Sequence, residues 1–250
     1  MPLTLGKWFA PSKSVCPICG RDAARTAGSG VIPVRHPQPR QALASLCGLC
    51  LRAIPWIAYP VCLVCGRAES CEDCVRRKIR SYTISRCAVR YTEMMKDWLA
   101  LYKYRGNEGV ETVLAAILAF AYERLCEAAN SEFHAVTSVP LAPERLRERG
   151  FNQAERLAIR LAEWYGLSYR PMLHRLRHTE KQSLKSRLGR VVDMRGNFAA
   201  DHSALFPGNI LLLDDVYTTG STLDECARVL KQAAEANESL RVYGLLWARS

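Results

Sequence analysis

The stretch that decides the fold is Ile210–Thr222, ILLLDDVYTTGST. Four apolar residues predict a buried strand over Asn209–Leu213, two carboxylates follow, and a turn rich in hydroxyls leads into a helix over Ser221–Ala236. A loop between a strand and a helix start is an anion site, because backbone N–H groups and the helix dipole both favour negative charge there. The residues expected to hold a phosphate are Thr218, Thr219, Gly220, Ser221 and Thr222.

Two adjacent acids, Asp214 and Asp215, immediately precede this loop. Carboxylates beside a phosphate repel it unless a hydrogen-bond donor lies between them, and a ribose ring supplies one through its 2′- and 3′-hydroxyls. We expect Gly220 to adopt a positive φ, and Ser221 with Asp224 matches a capping box. The sequence therefore predicts a ribose-phosphate ligand.

Strands and helices alternate from about Ser81 onward. The expected strands are Ser85–Tyr91, Phe133–Pro140 and Arg241–Ala248, and the expected helices are Glu93–Tyr104, Glu111–Ala128 and Asn152–Tyr165. This alternation with continuous apolar strands predicts an α/β domain built on a parallel sheet. The polar and basic run Arg175–Asn197 is expected to be a mobile segment over the sheet. We expect two domains, a cysteine-rich module at residues 1–80 and the α/β domain at residues 81–250.

The predicted module is defined by its cysteines, which number eleven in the whole chain. Eight of them form four Cys-x-x-Cys pairs: Cys16 and Cys19, Cys47 and Cys50, Cys62 and Cys65, Cys71 and Cys74. Two such pairs supply the four thiolates of a tetrahedral zinc site, so we expect one or two structural zinc ions. The spacing leaves the partners open: neighbouring pairs combined in chain order, a crossed arrangement and a single zinc all fit it.

Other metal and sulfur chemistry is less favoured in this module. An iron–sulfur cluster is a minor alternative, and the cytoplasmic location expected below disfavours a disulfide framework. The remaining cysteines, Cys87, Cys126 and Cys226, stand singly among apolar neighbours and are expected to be buried. The stretch Ala23–Gln41 is rich in Gly, Pro and Arg, which predicts a surface loop between cysteine pairs.

The net charge of +11 is concentrated at the N-terminal end. Residues 1–106 contain 17 Lys and Arg against 6 Asp and Glu, whereas residues 107–250 contain 18 of each kind. Two tetrathiolate zinc sites reduce the excess to about +7. A basic region of this size suits a polyanion such as single-stranded DNA, while a solvated basic surface is the alternative.

The composition also bears on location. No apolar run approaches the roughly 18 residues of a membrane span. Residues 1–14, MPLTLGKWFAPSKS, lack the apolar stretch and cleavage site of a signal peptide. We therefore expect a cytoplasmic protein without a membrane span.

The stretch Ile210–Thr222 resembles the phosphoribosyl pyrophosphate (PRPP) loop of type I phosphoribosyltransferases. In that family the acidic pair holds the ribose hydroxyls at the catalytic centre and the loop holds the 5′-phosphate. The resemblance implies these roles for Asp214, Asp215 and Thr218–Thr222, with Mg²⁺ bridging pyrophosphate and ribose oxygens. It also implies a transfer through an oxocarbenium-like ribosyl cation, in which the protein stabilises charge.

A second stretch, Val139–Ala154 (VPLAPERLRERGFNQA), is similar to the ComF family. In type I transferases the loop after this strand contacts pyrophosphate, and arginine can hold phosphate through two hydrogen bonds. The resemblance points most strongly to Arg149, with Arg147 and Arg145 as further candidates.

Two more segments resemble ComF proteins. Tyr102–Gly106 (YKYRG) offers Lys103 and Arg105 to pyrophosphate or nucleic acid. Thr179–Arg187 stands where type I transferases carry a flexible catalytic loop, with the candidates Lys181, Gln182 and Arg187. The ComF resemblance implies a cytoplasmic protein of DNA uptake in natural transformation, acting with a ComFA-type helicase on single-stranded DNA. An active phosphoribosyltransferase of unidentified acceptor and a PRPP or nucleotide sensor without catalysis are the alternatives.

Overall fold

A computed structural model of the protein describes residues 15–23, 31–77, 79–105, 107–176, 196–205, 207–234 and 239–250. The helices are α1 (Pro37–Ala44), α2 (Gly48–Arg52), α3 (Glu72–Arg76), α4 (Glu93–Arg105), α5 (Glu108–Ala129), α6 (Pro143–Arg149), α7 (Gln153–Tyr165) and α8 (Ser221–Ala233). The strands are β1 (Ser85–Arg90), β2 (Ala135–Ser138), β3 (Ser168–Tyr169), β4 (Leu173–Arg175), β5 (Phe198–Ala200), β6 (Asn209–Tyr217) and β7 (Arg241–Arg249). The segment expected to be mobile lies mostly outside the described residues.

Five strands form one parallel sheet in the order β1-β7-β6-β2-β3, which confirms the predicted fold class. Strands β4 and β5 form a separate antiparallel pair. The prediction that the central strand ends at Leu213 is wrong. Strand β6 continues to Tyr217, because β7 keeps pairing with it: Asp214 lies opposite Leu246 and Tyr217 opposite Arg249.

Helices cover both faces of the sheet. Helices α5 and α7 pack on one face, and α8 packs on the other. Strand β7 shows how the two cores alternate: Tyr243, Leu245 and Trp247 join the core under α5, whereas Val242 and Leu246 join the core under α8. Burial on both faces accounts for the continuous apolar run Ile210–Leu213 in β6. In the described part of the chain, no helix combines the length and hydropathy that a membrane crossing needs.

Of the segment expected to be a surface loop, Ala23–Gln41, the structure describes residue 23 and residues 31–41, and these are partly helical and partly buried. Helix α1 begins at Pro37, a residue favoured in the first turn because its ring sets the helical φ. Val34 and the α1 residue Leu43 are buried in the core under α5. The Glu123 carboxylate of α5 accepts hydrogen bonds from the backbone amides of Arg35 and His36 at 2.9–3.1 Å. Tertiary contacts with α5 therefore hold residues 34–43 against the core, although their composition predicts a loop.

The cysteine-rich segment crosses the edge of the sheet at β1. The Ile57 amide donates to the Ala88 carbonyl at 2.9 Å, and Trp56 forms an isolated bridge with Val89. Before this crossing, Cys16 and Cys47 pack in the core under α5. After it, other cysteines of the segment pack in the core under α8. The segment thus contacts both faces of the sheet, and a domain boundary at residue 80 stays a prediction.

Candidate functional site

The hydroxyl-rich loop connects β6 to α8. Gly220 has a φ of 76°, as predicted, and a Cβ atom there would lie 2.1 Å from the Tyr217 hydroxyl. Only glycine fits both the left-handed backbone and this close approach. The buried hydroxyls of Thr219 and Ser221 hydrogen-bond to each other at 2.9 Å, whereas Thr218 is exposed. The loop is therefore a tight, internally bonded turn.

The predicted capping box is wrong, although the helix does begin at Ser221. The residue before α8 is Gly220, and it supplies no side chain to cap the helix. The Asp224 carboxylate instead accepts a hydrogen bond from the Ser81 backbone amide at 2.8 Å. A contact from a distant part of the chain has replaced the local one.

The two acids lie within the last four residues of β6, beside the loop. Asp214 lines the same small concavity as Thr218 and Thr222. The Lys103 ammonium of α4 lies 2.5 Å from Oδ2 of Asp215, and the two side chains are only 20% and 24% exposed. Of the residues predicted for this site, the structure thus brings together the acidic pair, the loop and Lys103.

The two carboxyl groups have opposite pKa shifts. Burial, together with the neighbouring Asp215 charge, raises the pKa of Asp214 well above its usual range. Burial acts in the same direction on Asp215, but the Lys103 ammonium outweighs it, so the pKa of Asp215 falls below its usual range. Arg149 adds to this lowering. At neutral pH the pair therefore holds about one negative charge, on Asp215, as expected for coupled acids.

The predicted arginines are placed differently from one another. Arg149 is close enough to Asp215 to influence its pKa, and its Nη1 donates to Oε1 of Gln153 at 2.8 Å. The Arg147 side chain is 77% exposed, and its Nη2 lies 3.9 Å from Oε1 of Glu144. Arg105 ends α4, and its side chain lies outside the described part of the chain. The candidates Lys181, Gln182 and Arg187 also lie outside it.

Three further arginines near the site were not predicted from the sequence. Arg175 of β4 interacts electrostatically with Asp214 and lies over the Phe198 ring, 5.3 Å from its centroid. Arg77 and Arg249 donate hydrogen bonds to backbone carbonyls of the loop. None of the three belongs to a motif, so no signal in the sequence distinguishes them from surface arginines.

The eight paired cysteines form two tetrads combined in chain order. The first tetrad is Cys16, Cys19, Cys47 and Cys50, and the second tetrad is Cys62, Cys65, Cys71 and Cys74. Within each, all four sulfur atoms lie within 4.8 Å of one another. Zinc–thiolate bonds of about 2.3 Å place tetrahedral sulfurs roughly 3.8 Å apart, so both tetrads fit a zinc ion. The crossed arrangement is excluded. Of the single cysteines, Cys87 and Cys226 are buried as predicted, and Cys126 is half-buried.

Each tetrad contains one thiol prepared for metal binding. Cys47 and Cys71 directly precede the short helices α2 and α3. Burial tends to raise the pKa of both thiols, but the backbone amides of Cys50 and Cys74, together with hydrogen bonds from neighbouring cysteine side chains, outweigh it. The pKa of Cys47 falls to about 6 and that of Cys71 to about 7. Since metals bind thiolates, each helix start favours a metal ligand.

Several curated proteins are similar to this chain over most of its length. Competence protein ComFC of Bacillus subtilis is 29% identical over 90% of this chain and 91% of its own. Competence protein ComFC of Streptococcus pneumoniae is 28% identical over 87% and 94%, respectively. Competence protein F of Haemophilus influenzae is 28% identical over 80% and 89%. No protein-family model matches the chain.

One solved structure, of the allosteric regulatory enzyme of purine biosynthesis, aligns with 48% of this chain at 21% identity. The alignment spans only 23% of that enzyme's chain, and its TM-score of 0.30 is too low to establish a shared architecture.

The class of protein follows from the site and the sheet. A parallel sheet whose central strand carries an acidic pair into a hydroxyl-rich loop defines an α/β domain with a candidate ligand site at the carboxyl end of that strand. A cysteine-rich segment with two tetrads precedes it. Together with the relatives named above, these features support assignment of the chain to the ComF family.

The two tetrads predict two zinc ions per chain. Metal analysis of the purified protein should give a ratio near two, and Cys47→Ser and Cys71→Ser should each lower it by about one, since a tetrad with three thiolates binds zinc more weakly. Cys226→Ser is the matched control, because this cysteine is buried but belongs to neither tetrad. A wild-type ratio of one, or an unchanged ratio in both tetrad variants, would contradict the assignment.

The opposite pKa shifts predict opposite effects on stability. Asp214→Asn should stabilise the protein by about 1–2 kcal/mol at pH 8, because the substitution removes a carboxyl that resists ionisation. Since the raised pKa of Asp214 destabilises the fold increasingly as pH rises toward it, the gain should shrink at pH 6. Asp215→Asn should lower the free energy of unfolding by about 1–2 kcal/mol at both pH values, because it leaves Lys103 without its carboxylate partner. Urea unfolding at pH 6 and pH 8 measures both, and equal effects of the two substitutions would disprove the asymmetry.

Proposed function

We propose that this chain binds PRPP, or a related ribose phosphate, together with Mg²⁺ at the carboxyl end of β6. The observation that carries the proposal is the concavity in which Asp214 meets Thr218 and Thr222 of the loop. Ligands of open α/β sheets bind outside the carboxyl ends of the parallel strands. A phosphate in the loop and a ribose ring against the acids match the order of these groups along the chain.

The side chains around the acids support a pyrophosphate-bearing ligand. Lys103, Arg149 and Arg175 all act electrostatically on the acidic pair. Among the described residues, the positive charge of these side chains suits phosphate groups. In this proposal Arg149 and Arg175 hold the pyrophosphate, and Lys103 neutralises Asp215 until the ligand arrives.

The acids would take the ribose hydroxyls and, through them, the metal. Asp214 and Asp215 offer oxygen ligands of the kind that Mg²⁺ prefers, and Mg²⁺ would screen the charge of the pyrophosphate. For a transferase, ionised Asp215 close to the ribose would stabilise positive charge that develops on the ring. A sensor needs the same binding residues without that step, so the two alternatives share one site.

The biological setting comes from the relatives. Two of them are named competence protein ComFC and a third competence protein F. We propose by family resemblance that this chain acts in the cytoplasm in DNA uptake during natural transformation, beside a ComFA-type helicase. The two tetrads would hold structural zinc, since every ligand is a thiolate.

Calorimetric titration of PRPP with and without Mg²⁺ tests the proposed ligand. We expect binding that requires Mg²⁺ and weakens at least tenfold in the Asp214→Asn, Asp215→Asn double variant, because charged hydrogen bonds contribute about 1.5–3 kcal/mol each. Asp201→Asn is the control, since Asp201 bonds to Ser203. Absence of PRPP binding by the folded wild type would refute the proposal. Pyrophosphate release on adding single-stranded DNA would distinguish a transferase from a sensor.

We also propose electrostatic binding of single-stranded DNA, supported by the basic excess before residue 107. The exposed side chain of Tyr59, 86% accessible, offers a stacking surface just before the second tetrad. Affinity should fall with salt, with a logarithmic slope of about −0.7 per phosphate contacted. Tyr59→Ala should weaken binding about fivefold or more, and Tyr59→Phe should retain it, because the ring stacks without its hydroxyl. Fluorescence anisotropy with a labelled oligonucleotide measures both, and salt-independent binding would disprove the idea.

A further inference from the structure

Arg249, near the end of β7, joins the second tetrad to the phosphate loop. Its side chain is 1% exposed. Nη1 donates to the backbone carbonyls of Tyr217 at 3.1 Å and Thr218 at 2.8 Å. On its other side, Nη2 lies 3.9 Å from Oδ2 of Asp73, which stands between Cys71 and Cys74 in the sequence. One buried guanidinium therefore contacts both features.

Two N–H donor groups of the Arg249 guanidinium lack hydrogen-bond acceptors among the described residues. These groups, Nε and Nη2, are buried. Buried donors without acceptors are costly and uncommon. A tetrad filled with zinc carries two formal negative charges on its sulfurs, and Cys65 lies close enough to Arg249 to interact with it electrostatically. Filling the tetrad would thus bring acceptors to Nε and Nη2 and would add negative charge to that of Asp73.

A second arginine repeats this connection. Arg77 lies directly after α3, three residues beyond Cys74. Its Nη2 donates to the Thr219 carbonyl at 3.0 Å, and its Nη1 donates to the Gly220 carbonyl at 3.2 Å. The position of Arg77 depends on the short helix that carries the last ligand of the tetrad.

Together the two arginines hold four consecutive carbonyls, those of residues 217–220. In a trans peptide unit, the C=O group and the following N–H group point in opposite directions. The Ser221 amide donates to the Thr219 hydroxyl at 3.4 Å. Carbonyls turned toward the arginines turn the other amides, those of residues 218–220, away from them. Those are the amides that an anion-binding loop must present to its ligand.

We propose that metal in the second tetrad, acting through Arg249 and Arg77, sets the phosphate loop in the conformation whose amides face the ligand. Both arginines are positioning residues, since they contact the backbone carbonyls of the loop and not its amides. The inference rests on the proposed function only for the identity of the ligand. The coupling itself is a property of the tetrad, the arginines and the loop.

NMR relaxation of the ¹⁵N-labelled full chain tests the coupling without any ligand. In zinc-loaded wild type, the amides of residues 218–220 should show order parameters near 0.85, as in β6, and Cys74→Ser should lower them below about 0.6. Cys50→Ser, a half-buried ligand of the first tetrad, is the comparison. If Cys74→Ser leaves the loop rigid, or if Cys50→Ser loosens it equally, the proposal is overturned.

Arginine variants test the route. Arg249→Met and Arg77→Met should each loosen the loop while zinc content stays unchanged, and each should weaken PRPP binding at least tenfold. The control is Arg76→Met, which removes the same charge from a neighbouring residue paired with Glu72 at the surface. If Arg249→Met fails to fold, the half-buried Arg77 carries the test. A rigid loop in Arg77→Met overturns the proposal.

Loop relaxation and PRPP binding together distinguish a failure of the coupling from a failure of the proposed function. If wild type fails to bind PRPP but its loop loosens in Cys74→Ser and Arg77→Met, the coupling stands and the ligand assignment fails. If wild type binds PRPP and the loop stays rigid in these variants, the ligand assignment stands and the coupling fails.

Discussion

The pairing of β6 with a parallel strand on each side is the constraint on which the rest of the structure depends. Its residues Ile210–Leu213 pair with both β2 and β7, and β7 carries the ladder on to Tyr217. This continuation holds the two acids in an extended backbone at the carboxyl ends of the parallel strands, where a ligand can reach them. Because α8 begins four residues after the strand ends, the phosphate loop has little freedom in where it lies.

Packing gives the two neighbouring aspartates different ionisation states. Asp214 and Asp215 are neighbours in sequence, yet only Asp215 faces the Lys103 ammonium. One carboxyl is therefore ionised and the other resists ionisation, which lowers the repulsion that two adjacent charges would otherwise produce. A bound ligand would contact an ionised carboxylate at Asp215 and a neutral carboxyl group at Asp214. This arrangement favours a ligand that brings both hydroxyl donors and a metal ion.

The cysteine-rich segment stabilises the domain from two sides. The first tetrad packs beside α5, and the second tetrad packs on the face that carries α8. Short segments with few apolar residues cannot stabilise themselves by burial alone, and a metal ion bound in each tetrad would replace the missing core. The second tetrad also borders the loop, through Arg77 and Arg249. The second tetrad and the proposed ligand site thus share one hydrogen-bond network.

The sequence by itself determined the parallel α/β class, the loop with its glycine and the eight paired cysteines, because each leaves a local pattern of period, turn or spacing. It placed the end of β6 wrongly, since acids are poor strand formers and the partner strand alone prolongs the ladder. Only the tertiary structure decided the partners of the cysteine pairs, the ion pair of Lys103 with Asp215 and the arginines behind the loop. The reason is physical: these contacts join residues far apart in the chain, and long-range packing leaves no pattern in the sequence near either partner.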